Sequence, residues 1–253
     1  MISIFNGGTI MLLWGLFVAC VIIEFVFTPL FLKAQWPQAC FKSLVYKMIC
    51  STAFVSIGVL SMFISGNKSI YAIMMLVGLC LGWIGDYFLH AKTTNTYFAI
   101  GMVSFMLGHI AYIACYMRTI PVISPEYNMF NPVEIIIISV LLVLAFVGAV
   151  KFKVEFSMKI LKLGVAVYTA ILITMFVKAT ALGIAYYKTG AENGLVALLV
   201  LAFGSLCFTL SDATIGLLMF AGKTKNKPLK VFNIVTYFAG QVLLASSILF
   251  INA

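Results

Sequence analysis

The chain contains two aspartates, Asp86 and Asp212, and each lies in a strongly apolar stretch, GWIGDYFLHAK and FTLSDATIG. Ionised carboxylates are expensive in hydrocarbon, and those found in membrane segments face a protein interior or a cavity. Two carboxyl groups brought close in an apolar pocket cannot both ionise. One keeps its proton and serves as an acid while the other stays anionic. The chemistry that Asp86 and Asp212 offer together is therefore general acid/base catalysis in a lipid-accessible site.

The elements that must position them follow from composition. Of 253 residues, 64% are hydrophobic and 9% charged, whereas about a quarter of a soluble chain is charged. Apolar runs recur at roughly the twenty residues needed to cross a bilayer. The expected fold is an all-α, polytopic membrane protein, one domain over residues 1–253, with about eight spans near 8–32, 43–64, 70–90, 95–117, 133–150, 160–183, 194–221 and 231–251. Breaks are supplied by Trp36-Pro37, SGNKS, RTIPVISPEYNMFNP, KFKVEFSMK, the YYKTGAEN segment and GKTKNKPLK. The first apolar segment lacks a basic leader and is too long for a cleavable signal.

The net charge of +9 would suggest nucleic acid in a soluble chain. Its distribution suggests topology instead. Lys33, Lys42, Lys47, Lys92, Lys151, Lys153, Lys159, Lys162, Lys223, Lys225, Lys227 and Lys230 fall at connections 1–2, 3–4, 5–6 and 7–8. Cationic connections stay cytosolic, so both termini are expected on the non-cytosolic side. The protein is expected in a bacterial inner membrane or the endoplasmic reticulum. Lys178, near the outer end of span 6, reads as a snorkelling side chain. Cys20, Cys40, Cys50, Cys80, Cys115 and Cys207 form no CxxC pair and read as small apolar fillers. With two histidines in the chain, no metal or other cofactor is expected.

Orientation converts position into depth. At about 1.5 Å per helical residue, Asp86 lies roughly 9 Å below Lys92 and Asp212 roughly 15 Å below Gly222, both in the cytosolic half. Glu24 falls in the inner half of span 1, either as a pocket member or as the partner of Lys47. Gly78, Gly82, Asp86 and His90 recur every four residues and share a helix face; its glycines permit close approach of another helix and turn Asp86 inward. Gly204, Phe208 and Asp212 repeat the spacing in span 7. Asn233, Tyr237 and Gln241 form a polar stripe in span 8, and His109 and Tyr112 sit on one side of span 4. A weak internal echo joins the two aspartate helices: a glycine stands eight residues before each aspartate, and a TYFA element follows in the next helix, at 96–99 and 236–239.

These segments resemble the YhhN family, the lysoplasmalogenases. The family's G-D-x-x-L element is matched by Gly85-Asp86-Tyr87-Phe88-Leu89, and its G-H-x-x-Y element by Gly108-His109-Ile110-Ala111-Tyr112. VYTAILITM, with Tyr168 and Met175, is similar to its sixth helix. LSDATIGLLMF resembles its S-D-x-x-L-x-x-x-x-F element with Ile215 for the leucine. TYFAGQVLLA resembles its T-Y-Y-x-A-Q element with Phe238 and Gly240 substituted. Lys47 is followed by Met48 where the family often has proline, and His90 stands where it usually has an apolar residue.

The resemblance implies hydrolysis of the vinyl ether bond of a lysophospholipid, giving a fatty aldehyde and glycerophosphocholine or glycerophosphoethanolamine. Asp86 and Asp212 are the expected catalytic pair. His109, Tyr112, Tyr168, Tyr237 and Gln241 are the candidates for orienting substrate or water, with Glu24 a candidate pocket member and Lys47 a candidate phosphate contact. Three rival readings fit the same helices, and the first also pairs carboxylates from two helices. An intramembrane aspartyl protease would carry a PAL element, which is absent from the sequence. A proton-coupled transporter would move its substrate without cleaving it, and a lipid-binding protein would bind without product.

Overall fold

The computed structural model describes residues 6–36, 38–129, 131–155 and 159–252. Pro37, the Phe130 end of the proline-rich loop and residues 156–158 of the KFKVEFSMK break lie outside them. Eight helices long and apolar enough to cross a membrane follow one another: α1 (Gly7–Ala34), α2 (Phe41–Ser65), α3 (Ile70–Ala91), α4 (Asn95–Ile123), α5 (Pro132–Lys151), α6 (Lys159–Lys188), α7 (Gly194–Phe220) and α8 (Lys227–Ser246). A short 3₁₀ turn, Ser247–Leu249, follows α8, and no strand occurs among the described residues. The chain is a multi-pass membrane protein.

Start signals are local. Asn6, Ser69, Thr94, Asn131 and Asn226 each accept a backbone N–H of the first turn that follows, satisfying a donor with no partner inside the helix. Four ends differ from the sequence reading by four residues or more: α6 runs on to Lys188, and α8 ends at Ser246 before the 3₁₀ turn; the other two have local causes. Helix α4 runs on through Pro121 to Ile123, because a proline close to a helix end removes little of the ladder. Helix α8 begins at Lys227, earlier than expected, since Pro228 occupies the first turn, where a missing N–H costs nothing.

Helices α2, α3, α4, α6, α7 and α8 close a ring, each packing on the next and α8 returning to α2. Helix α1 lies outside it on α2 and α8, and among the described residues α5 packs on α6 alone. The outer face of α5 presents Val143, Leu144, Phe146 and Val147, suited to lipid rather than water. Two close crossings tighten the ring. A side chain at Gly108 of α4 would come within 3.3 Å of the Gly78 carbonyl of α3, and one at Gly240 of α8 within 2.9 Å of the Gly204 carbonyl of α7. In both, the glycine eight residues before an aspartate is the one crossed. Small residues let helix backbones approach where no hydrophobic effect drives association.

Lys178 does not snorkel. Its Nζ lies 2.7 Å from Glu134 Oε2 and donates to the Tyr127 hydroxyl (3.1 Å) and the Met129 carbonyl (3.0 Å). Tyr127 in turn donates to Glu134. Glu134 sits in the first turn of α5, where a carboxylate also faces the positive end of the helix dipole. The buried cluster fastens α5 and the preceding loop to α6. Sequence reading missed it because the partners meet only through that loop.

Candidate functional site

Toward the ends carrying connections 1–2, 3–4 and 7–8 is a cavity of about 730 Å³, lined by ring helices together with α1 and α5. Asp86 and Asp212 both line it, as do Lys47, Tyr168 and Tyr237. Its walls are otherwise mostly apolar, with Phe105 and Met102 from α4, Leu141 and Ala145 from α5, and Leu172 and Phe176 from α6. Edge-to-face contacts of Phe105, Phe208 and Tyr237 join α4, α7 and α8 at one end.

Asp86 is 1% exposed and has three partners. Lys47 Nζ stands 2.9 Å from Oδ1. Ser51, one turn after Lys47 on α2, donates to Oδ2 (2.6 Å), and Tyr237 donates to the same oxygen (2.7 Å). Gln241, one turn further along α8, donates to the Tyr237 hydroxyl (3.1 Å). Gly82 makes this approach possible, because a Cβ there would lie 2.7 Å from Gln241 Nε2. The expected inward face of α3 and polar stripe of α8 are thus parts of one network. Asn233, the first member of the stripe, donates instead to the Ser211 carbonyl and hydroxyl (2.8 and 2.9 Å), holding α8 beside the Asp212 segment.

Asp212 has a different setting. Its side chain is 11% exposed. Tyr168 of α6 donates to Oδ2, and His109 Nε2 lies 3.3 Å from the same oxygen and 3.2 Å from the Tyr168 hydroxyl. Both contacts fall on Oδ2, and among the described residues none falls on Oδ1. His109 is held edge-on against Phe208 (4.8 Å between centroids), and its Nδ1 is buried with no hydrogen-bond partner. No hydrogen bond joins the two aspartates, each of which has its own donors.

Seven of the expected residues are therefore brought together: Asp86, Asp212, Lys47, His109, Tyr168, Tyr237 and Gln241. Two are not. Tyr112 packs into the α3–α4 seam, its ring against Gly78 and stacked on Tyr116, away from the cavity wall. Glu24 is buried with both oxygens unpartnered and does not line the cavity; the ammonium of Lys47 is directed to Asp86 instead. Sequence reading did not single out Ser51, for which the signal was its four-residue offset from Lys47. It also left His90 unexplained. His90 Nε2 lies 2.7 Å from the Ser43 hydroxyl, and its ring packs edge-on against Phe31 at the cavity wall.

Comparison with known proteins agrees with the motifs. No curated protein and no solved structure matches the chain. The YhhN family model matches residues 43–248, from the first turn of α2 to the end of the helical ring, and so takes in both aspartate networks. With most of its length and all of its ring inside that match, the chain belongs to the YhhN family.

Proposed function

We propose that the protein is an intramembrane hydrolase that cleaves the vinyl ether bond of lysoplasmalogens. The observation that carries this reading is that two aspartates from helices far apart in sequence line one largely apolar cavity. Family membership supports it, and the chemistry suits these residues. A vinyl ether is broken by protonating the alkene carbon β to its oxygen, and the two carboxyl groups are differently equipped for that reaction.

Asp212 is the acid. Its Oδ1 gives a proton to the alkene carbon, whose π electrons form the new C–H bond while the ether oxygen shares a lone pair to give an oxocarbenium ion. Tyr168, which donates to Oδ2, and the His109 imidazole beside it, in the tautomer with Nε2 protonated, favour the carboxylate that this leaves, since charge-assisted hydrogen bonds are the stronger ones. Asp86, held as an ion pair with Lys47, supplies negative charge in the same cavity that offsets the cation. Water adds to the oxocarbenium carbon and gives a proton back to Asp212. The hemiacetal then collapses, its C–O bond to glycerol breaking as the hydroxyl proton passes to the departing oxygen. Aldehyde and glycerophospholipid headgroup are released.

The aspartates lie a few turns below the face carrying most of the lysines. Cationic connections favour the cytosol, so the substrate enters from the cytosolic leaflet, with its vinyl ether bond just beneath the headgroup. The test is incubation of purified protein in detergent with a lysoplasmenyl lipid and its matched acyl lysolipid. Aldehyde from the alkenyl lipid alone is the expected result. Cleavage of the acyl lipid alone would make the protein a lysophospholipase. Saturable binding or flux without product would remove the catalytic reading.

A further inference from the structure

Gln35 closes α1, its backbone N–H donating to the Phe31 carbonyl (3.0 Å). The side chain is 4% exposed, lines the cavity, and its Nε2 is buried with no hydrogen-bond partner. Buried donors are normally satisfied, and leaving one unmade is costly. A donor of this kind facing a cavity is suited to an acceptor on a ligand.

The neighbourhood indicates the charge of that ligand. Lys230, in the first turn of α8, also lines the cavity. Its Nζ sits 5.9 Å from the ring centroid of Trp36, the residue after Gln35, and among the described residues no carboxylate lies within ion-pair distance of it. His90 is on the same stretch of wall, its ring edge-on to Phe31 (5.3 Å between centroids), one turn before Gln35. The other lysine lining the cavity, Lys47, is occupied by Asp86. An ammonium with no carboxylate partner among the described residues, an unpartnered amide and an imidazole thus line one end of the cavity.

We propose that Gln35 and Lys230, with His90 beside them, form an anion site for the phosphate of a phosphodiester headgroup. Lys230 supplies the charge and Gln35 Nε2 a directed hydrogen bond to a phosphate oxygen. The assignment rests on the hydrolase reading only for the identity of the lipid. It replaces Lys47 as the phosphate contact, and it draws Gln35 from outside the segment matched by the family model.

Binding separates the two proposals, because it can be read with lipids that carry no vinyl ether. The probes are 1-O-hexadecyl-glycerophosphocholine and 1-O-hexadecylglycerol, titrated against purified full-length protein in detergent. The phosphate-bearing lipid is expected to bind about tenfold more tightly. Gln35→Leu and Lys230→Met should each remove most of that preference and leave hexadecylglycerol binding unchanged, which also shows that the cavity is intact; Lys230→Arg should keep it. Competition by inorganic phosphate would assign the site to free phosphate, and headgroup-dependent binding without competition would assign it to the lipid. Equal affinities in the wild type, or an unaltered preference in both variants, overturns the anion site even if aldehyde release is intact. A preference that follows Gln35 and Lys230 in a protein that releases no aldehyde keeps the site and removes the hydrolase reading.

Discussion

Asp86 and Asp212 look alike in sequence, each on a helix with a glycine two turns earlier, but their surroundings differ. Asp86 has both oxygens occupied, by an ammonium on one side and two hydroxyls on the other. Asp212 has its contacts on a single oxygen, one from a phenol and one from an imidazole. The first arrangement holds a charge in place, whereas the second leaves an oxygen open to the cavity. In the proposed mechanism the two carboxylates need not share a proton directly to divide acid and anion roles; their different partners within one cavity set the division.

Replacing Asp212 by Asn tests this contrast most severely. Turnover of lysoplasmenyl lipid should fall by about 10³-fold, within the range of general acid catalysis, with folding retained. Wild-type-like aldehyde release would end the two-aspartate mechanism. Asp86→Asn should also abolish measurable turnover, but with a second consequence. It leaves Lys47 buried without its counterion, and breaking such a pair costs about 3 kcal/mol. The unfolding midpoint in detergent should therefore fall for Asp86→Asn and not for Asp212→Asn. Adding Lys47→Met to Asp86→Asn should restore the midpoint without restoring activity. Equal midpoints for the two single variants would show that the ion pair does not distinguish the sites.

Tyr168→Phe is a gentler change to the same comparison. It removes one donor from Asp212 Oδ2 and leaves His109, so kcat should drop about tenfold with KM little affected. A change in KM alone would instead mean that the phenol contacts substrate.

Much of this was legible because helical spacing is short-range. The four-residue recurrence of Gly78, Gly82 and Asp86 fixes one face of α3 whatever its neighbours are, and Asn233, Tyr237 and Gln241 do the same for α8. What was not legible depends on how helices meet. Tyr112 shares a side of α4 with His109, but Gly78 leaves a hollow in the α3–α4 seam that takes its ring. Gln35 becomes part of a site only because the end of α1 meets the first turn of α8. The partner of Asp86 could not be read from spacing, since Lys47 lies on a different helix.

The same limit hid a second buried lysine–carboxylate pair, and it offers the sharpest control. Lys178–Glu134 resembles Lys47–Asp86 in distance and in having a tyrosine hydroxyl on the carboxylate, yet none of its residues lines the cavity. If burial of an ion pair mattered only for stability, the two pairs would be equivalent. Lys178→Met should lower the unfolding midpoint much as Asp86→Asn does, because it strands Glu134 and loosens α5 from α6, the helix it packs on. At a temperature where the variant is folded, its kcat should stay within about twofold of wild type, since it removes nothing from the cavity wall. A large loss of turnover at full folding would mean that α5, which lines the cavity through Leu141, Ala145 and Gly148, must be held in place for the reaction. The separation of roles would then lie between the two ends of α5 rather than between the two ion pairs.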